Sequence, residues 1–294
     1  MKVWKAIILA LWEVKKMHKL LSAGFARLKK NYVFWICMVT MLVMTIYHVM
    51  SKSEEAIILI KKGTMHYLDN YYFDMGPFIG VFCAIFICLF IGTEYSDGVI
   101  RNKLIVGHTR TQVYMSNFII SIVACECFVM MWVIGGLVAI PKLGFLKIGY
   151  DGFALYVLLS LLYTAALTGI FVLVSMLSFN KAVNAVLEIL LALILILIGS
   201  AIFMQLREPA ETTARMLGNV MVDAEGVPMP NPDYVGGTLR GVFQFLADSL
   251  PTSQALLMRV VEISRPVLSA TASIVITVVT LIVGSIAFNK KDLK

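Results

Sequence analysis

Charge is sparse in this chain. Only 15% of its 294 residues are Asp, Glu, Lys or Arg, 60% are hydrophobic, and mean hydropathy is +0.86. A soluble domain carries about 25% charge, so an ordinary soluble enzyme and a disordered tail are both excluded. Cysteine is absent from every polar stretch: Cys37, Cys83, Cys88, Cys125 and Cys127 lie inside apolar runs. Disulfide scaffolds keep paired cysteines in outer loops, so these five read as small buried hydrophobes. Cys125 and Cys127 flank Glu126, but no histidine is near, and a lone C-x-C lacks the four-ligand spacing of a zinc site. No metal is expected. The dipeptide Gly-Lys occurs nowhere, so this chain has no phosphate-binding P-loop of its own. Internal repeats, low-complexity tracts and a separate soluble domain are missing too.

What is present is a set of long uncharged runs. Residues 31–51, 75–93, 152–180 and 266–289 carry no charge; 111–141 and 182–206 carry one each, Glu126 and Glu188. Every run is long enough for an α-helix across about 30 Å of hydrocarbon. A membrane barrel would alternate in runs of about ten residues, and these runs are continuously apolar. The expected fold is therefore an all-α membrane protein with six transmembrane helices. Its parts are an amphipathic surface helix at 1–30, five spans within 31–204 with a loop at 94–110, an outer loop with short helices at 205–266, and a sixth span with a short tail at 267–294.

Orientation follows from Lys and Arg. With the N-terminus inside, the short inner segments hold fifteen basic residues against four acids, and the outer loops hold ten against twelve. This bias places both termini in the cytoplasm. The net charge of +7 is then largely topogenic, and nucleic acid is not needed to explain it. Tyr32 and Trp35 at the first span, Tyr71, Tyr72 and Phe73 before the second and Tyr95 after it suit interfacial positions.

The amino-terminal segment is no signal peptide. Its apolar stretch Ala6–Trp12 is short, and Glu13, Lys15 and Lys16 follow at once without a cleavage site. Ile7, Val14, Leu21 and Leu28 repeat every seven residues, with Trp4, Leu11, His18 and Phe25 as a second row. Such a helix lies in the headgroup plane with its lysines near anionic lipid, or packs on a partner subunit.

The loop between the second and third spans is the most informative segment. Ser96 or Asp97 can cap a short helix. Val99, Ile100 and Leu104 form its apolar side, Arg101 and Lys103 lie off it, and Gly107 suits a left-handed stop. The result is a short, basic-and-apolar helix just outside the bilayer, shaped either to dock into a cytosolic partner or simply to join two spans.

The pattern Gly92-x-Glu94-Tyr95-x-x-Gly98-x-x-Arg101-Asn102-x-Leu104-x-x-Gly107-x-x-Arg110 resembles the corresponding loop of bacterial ABC-2 type transporter permeases. Arg27–Trp35 resembles their approach to the first span, and Leu250–Leu256 a stretch before their last. Val99-Ile100 stands where many members have Thr-Leu, a conservative departure. The resemblance implies a membrane subunit that is not itself an enzyme. A separate ATPase subunit would bind ATP and Mg, and a second permease, identical or related, would complete the pathway. The segment Asp97–Gly107 would be the coupling helix, with Glu94, Arg101 and Arg110 holding its ends. The setting would be the bacterial cytoplasmic membrane. The cargo would be an amphiphile such as a peptide antibiotic, a lipid-linked compound or a drug, which suits a role in antibiotic resistance or immunity.

Glu126 sits mid-span, where a lipid-facing carboxylate costs about 2.5–3.5 kcal/mol. It therefore faces the bundle, a cavity or a partner, either as a polar point of the translocation path or as a packing residue. Glu188, roughly 10 Å into its run, is expected to reach the interface alongside Lys181. Gly76-x-x-x-Gly80 and Ala165-x-x-x-Gly169 are close-packing patterns. In the outer loop, Glu211–Leu217, Thr238–Leu250 and Thr252–Ile263 are helix-compatible, and Pro228–Gly237 is turn-rich. Two other classes compete with the ABC reading. An ion-coupled transporter would use Glu126, though no inverted repeat is visible. An intramembrane enzyme lacks paired acids or clustered histidines in its spans, Glu54-Glu55 being in an outer loop.

Overall fold

A computed structural model of the chain describes residues 2–62, 67–143, 147–178, 180–212, 214–217, 220–223 and 229–292. Among the described residues, six helices are long and apolar enough to cross a membrane, and each covers most or all of one of the apolar runs. The chain opens with α1 (Lys2–Lys30), and α2 (Tyr32–Lys61) is the first span. A one-turn helix α3 (Asp69–Tyr72) and a 3₁₀ turn (Gly76–Phe78) lead into α4 (Ile79–Ser96), the second span. Helix α5 (Val99–Ile105) connects to α6 (Arg110–Gly136), which continues through a 3₁₀ turn into α7 (Ile140–Leu143). Helices α8 (Gly149–Leu177) and α9 (Lys181–Arg207) are the fourth and fifth spans. After residues 208–236 come α10 (Gly237–Ser249), α11 (Pro251–Arg259) and the last span α12 (Pro266–Lys290).

Helices α6 and α8 form the centre. α8 packs against α12, α6 and α4, while α9 lies on α4 and α2 on α6. The core is built on large rings: Phe34, Phe86, Phe90 and Phe128 form one aromatic group and Tyr72, Phe73 and Trp132 another. Tyr72 and Phe73 are thus fully buried in the bundle. Tyr72 donates to the Val133 carbonyl at 2.6 Å and accepts Trp132 Nε1 on its own carbonyl at 2.9 Å. A buried tyrosine or tryptophan needs such a partner for its polar end. Tyr32 and Trp35 are exposed.

Three boundaries differ from expectation. Helix α2 runs past its uncharged stretch to Lys61, carrying Lys52 and Glu55 as an i,i+3 pair at 2.7 Å. Glu211–Thr212 and Ala214–Leu217, expected within a helix, are strands. Glu211–Thr212 pairs antiparallel with Met229–Pro230, and Ala214–Leu217 pairs with Val220–Asp223. Val220 and Val222 favour strand, and Gly218-Asn219 between the two strands is a two-residue hairpin signal. The expected helices at 238–250 and 252–263 form as α10 and α11, but α11 stops at Arg259. There Val261 sits at φ 58°. Val261 N–H donates to Met258 and Glu262 N–H to Leu257, a Schellman ending with valine at the place usually held by glycine.

The α1 face is legible only in part, because the side chains of Trp4, Ile7, Leu11 and Val14 lie outside the described residues. Over the rest, Leu20 and Leu28 are buried, Leu21 and Phe25 pack on the core, and His18 is exposed. This face rests on α6 of the same chain. The two small-residue patterns also serve intrachain packing: Gly80 meets Leu167 of α8, and Gly169 meets Thr280 of α12.

Candidate functional site

The 94–110 segment is organised around Glu94. Helix α4 continues through Ser96, so this carboxylate lies one turn inside its end and is 1% exposed. Arg27 of α1 approaches Glu94 Oε1 at 2.5 Å and Lys103 of α5 at 2.6 Å. Asn117 Nδ2 of α6 donates to Oε2 at 2.7 Å. One carboxylate therefore joins four helices. Arg27 is held further by the Phe90 carbonyl, the Thr93 hydroxyl and the Phe90 ring 4.2 Å away. A buried charge is stable only when paired and hydrogen-bonded, and Glu94 meets both conditions.

Neither Ser96 nor Asp97 caps α5. Asp97 closes α4, and Gly98 at φ 67° precedes α5. The left-handed glycine reverses the chain at little steric cost, leaving no residue to spare for a side-chain cap. At the other end Gly107 takes φ 94°, as expected, with Gly107 N–H on Leu104 and His108 N–H on Lys103. Thr109 and Gln112 then form a reciprocal capping box that starts α6.

The short helix has two faces. Ile100 is 1% exposed, and Leu104 packs on the core with it. Arg101 and Asn102 are exposed, and so are Ile105 at 81% and Val106 at 76%. Leu104 therefore secures α5 from beneath, and the outward apolar residues are Ile105 and Val106. Arg101 makes no ion pair among the described residues; Lys103 and Arg27 do the holding the sequence reading gave to Arg101. Sequence spacing missed Lys103 because a lysine on the polar side of a short helix reads as solvated, and its partner belongs to the preceding helix. Burial and Lys16 both hold the His108 imidazole below its ordinary range.

Tyr95 and Arg110 connect this loop to the chain's end. The Tyr95 hydroxyl donates to the Met176 carbonyl. Lys291 Nζ reaches that hydroxyl at 2.9 Å, the Met176 carbonyl at 2.9 Å and the Ser178 carbonyl at 2.8 Å. Arg110 donates to the carbonyls of Phe288, Asn289 and Lys291. Both cations thus sit at the C-terminal ends of helices α8 and α12, where unpaired carbonyls concentrate negative charge. Burial pushes Lys291 down to about 8.

The two mid-span acids lie apart from this cluster. Glu126 is half-buried on α6, within electrostatic reach of Cys83 and Tyr163, and its Oε2 has no hydrogen-bond partner among the described residues. Glu188 does not reach the interface beside Lys181. It is fully buried against Ser175 and Asn184, with neither oxygen in a well-formed hydrogen bond. Helix α9 packs on α4, and Asn184, one turn before Glu188, donates to Ser175 and to the Cys88 carbonyl on that same side. All five cysteines are free thiols, and no group of three metal-ligating side chains occurs among the described residues.

No protein-family model and no curated protein matches this chain.

Proposed function

We propose that this chain is the membrane subunit of an ATP-driven ABC exporter, with α5 as the helix that couples a separate ATPase subunit to the spans. The observation that supports this most directly is the Glu94 cluster. A cytosolic protein pressing on α5 would pull on Lys103, and through Glu94 on α1, α4 and α6 together. Tyr95 and Arg110 would pass the same displacement to the ends of α8 and α12. An ordinary connecting loop needs none of these links. On this reading both termini are cytoplasmic in a bacterial membrane, two permease subunits form the pathway, and ATP and Mg stay on the partner. Purification of the tagged chain from its native membrane tests it. A co-purifying subunit with vanadate-sensitive ATPase activity is expected, and a chain that carries no ATPase partner contradicts it.

One observation favours a second reading. The unpartnered Glu126 oxygen inside a span is a feature of proton-coupled carriers. Transport that follows a proton gradient and ignores ATP would select that reading.

A further inference from the structure

Opposite the Glu94 end, two cavities meet at one arginine. The larger, about 740 Å³, lies among Asp69, Lys147, Arg207, Arg259 and Glu262. That volume falls within the range of about 300–1,000 Å³ typical of ligand sites. The smaller, about 270 Å³, lies between α2 and α9 and is walled by Met75, Phe78, Ile196 and Leu256, with His48 and Asp74 at its polar side. Arg259 lines both.

Lys147, Arg207 and Arg259 line the larger cavity against the carboxylates of Asp69 and Glu262, and Asp74 beside it pairs with Arg259, so the charges balance and the donors left over decide what can bind. The Asp69 carboxylate is taken by the backbone N–H groups of Lys147 and Ile148. Glu262 is taken by Arg207 at 3.0 Å. Two cations keep donors to spare. Lys147 stands over the Tyr67 ring, its Nζ 5.3 Å from the centroid, with no carboxylate partner among the described residues. Arg259, half-exposed, uses only Nε, on Asp74 at 2.8 Å, and Asp74 also meets His48 at 2.9 Å. Arginine carries five N–H donors in a fork, and Arg259, which lines both cavities, spends one of them on Asp74. A fork plus a point charge on separate elements suits an anion with several oxygens.

We infer that this end of the bundle binds a phosphate-headed amphiphile, its head between Lys147 and Arg259 and its chain in the crevice of Met75, Phe78, Ile196 and Leu256. Arg259 lines both cavities, one walled by charged side chains and one mainly apolar, and so marks the junction of head and tail. As a statement about cargo this rests on the transport reading above. As a binding site it stands by itself, and a measurement without ATP or partner separates the two.

The test is native mass spectrometry of the full chain titrated with dioctanoyl phosphatidic acid, with dioctanoylglycerol and inorganic phosphate as separate arms. Phosphatidic acid binds; dioctanoylglycerol binds about ten-fold more weakly, the effect of one charge-assisted contact. Lys147→Gln lowers phosphatidic acid affinity by about the same factor. It breaks no ion pair among the described residues, so it reads the head site without disturbing Asp74 or His48, as Arg259→Gln would. Ile196→Trp, which fills the crevice, also lowers affinity. Unchanged affinity in Lys147→Gln overturns the head assignment. Full displacement by inorganic phosphate, with Ile196→Trp silent, overturns the amphiphile and leaves a small-anion site.

Discussion

Lys103 Nζ lies 2.6 Å from Glu94 Oε1, and the two residues belong to different helices on either side of a left-handed glycine. The short helix α5 therefore cannot move without its lysine pulling on the end of α4. Arg27 shares the same oxygen, so α1 is drawn in as well.

Removing the Glu94 charge leaves Arg27 and Lys103 facing each other in a buried place. Glu94→Gln should destabilise the chain by about 3–5 kcal/mol, the usual cost of breaking a buried pair from one side. Its thermal unfolding midpoint in detergent checks this. A midpoint equal to that of the unmodified chain would mean that Glu94 is not an organising charge.

The fold of this loop was readable to different depths. Apolar runs without charge fixed the six helices, because bilayer insertion demands long uncharged segments whatever their packing. The glycine stop at Gly107 was readable because few other residues take positive φ without strain. Lys103, Arg27 and Asn117 were not readable as partners of Glu94. Their meeting depends on how α1, α5 and α6 cross α4, and no local periodicity encodes a crossing. The same limit explains Glu188, whose depth was evident and whose burial on α4 was not, and Tyr72, whose packing against Trp132 no local pattern encodes.

Lys291 gives the bundle a pH dependence. Its folded value is lowered from 10.5 to about 8 by burial, so above pH 8 the unfolded chain binds the extra proton. Stability from this group therefore rises with pH between about 8 and 10.5 and is at its lowest below 8. The difference in unfolding midpoint between the unmodified chain and Lys291→Met should grow in favour of the former over that interval. A difference that is flat with pH would remove the assignment.

Val261 holds a left-handed conformation that a β-branched side chain adopts only under strain, at roughly 1–3 kcal/mol. Val261→Gly should raise the unfolding midpoint by relieving it, with glycine's added chain entropy offsetting about 0.5–1 kcal/mol. A lowered midpoint would show that Val261 packing outweighs the strain.

Glu126→Gln keeps the size of the side chain and removes only its charge. If the unpartnered oxygen lines the path, membrane-inserted protein stays at its normal level while transport falls. Normal transport in this variant would make Glu126 a packing residue.

The most direct test of the central claim is photo-cross-linking from α5 in native membranes. A photoreactive residue placed at Ile105, exposed on the outward face, is compared with one at Ile100, buried beneath it. The account predicts that Ile105 captures a chain bearing a P-loop and Ile100 captures only this protein's own helices. Capture of lipid alone from Ile105, in cells that are actively transporting, would contradict it.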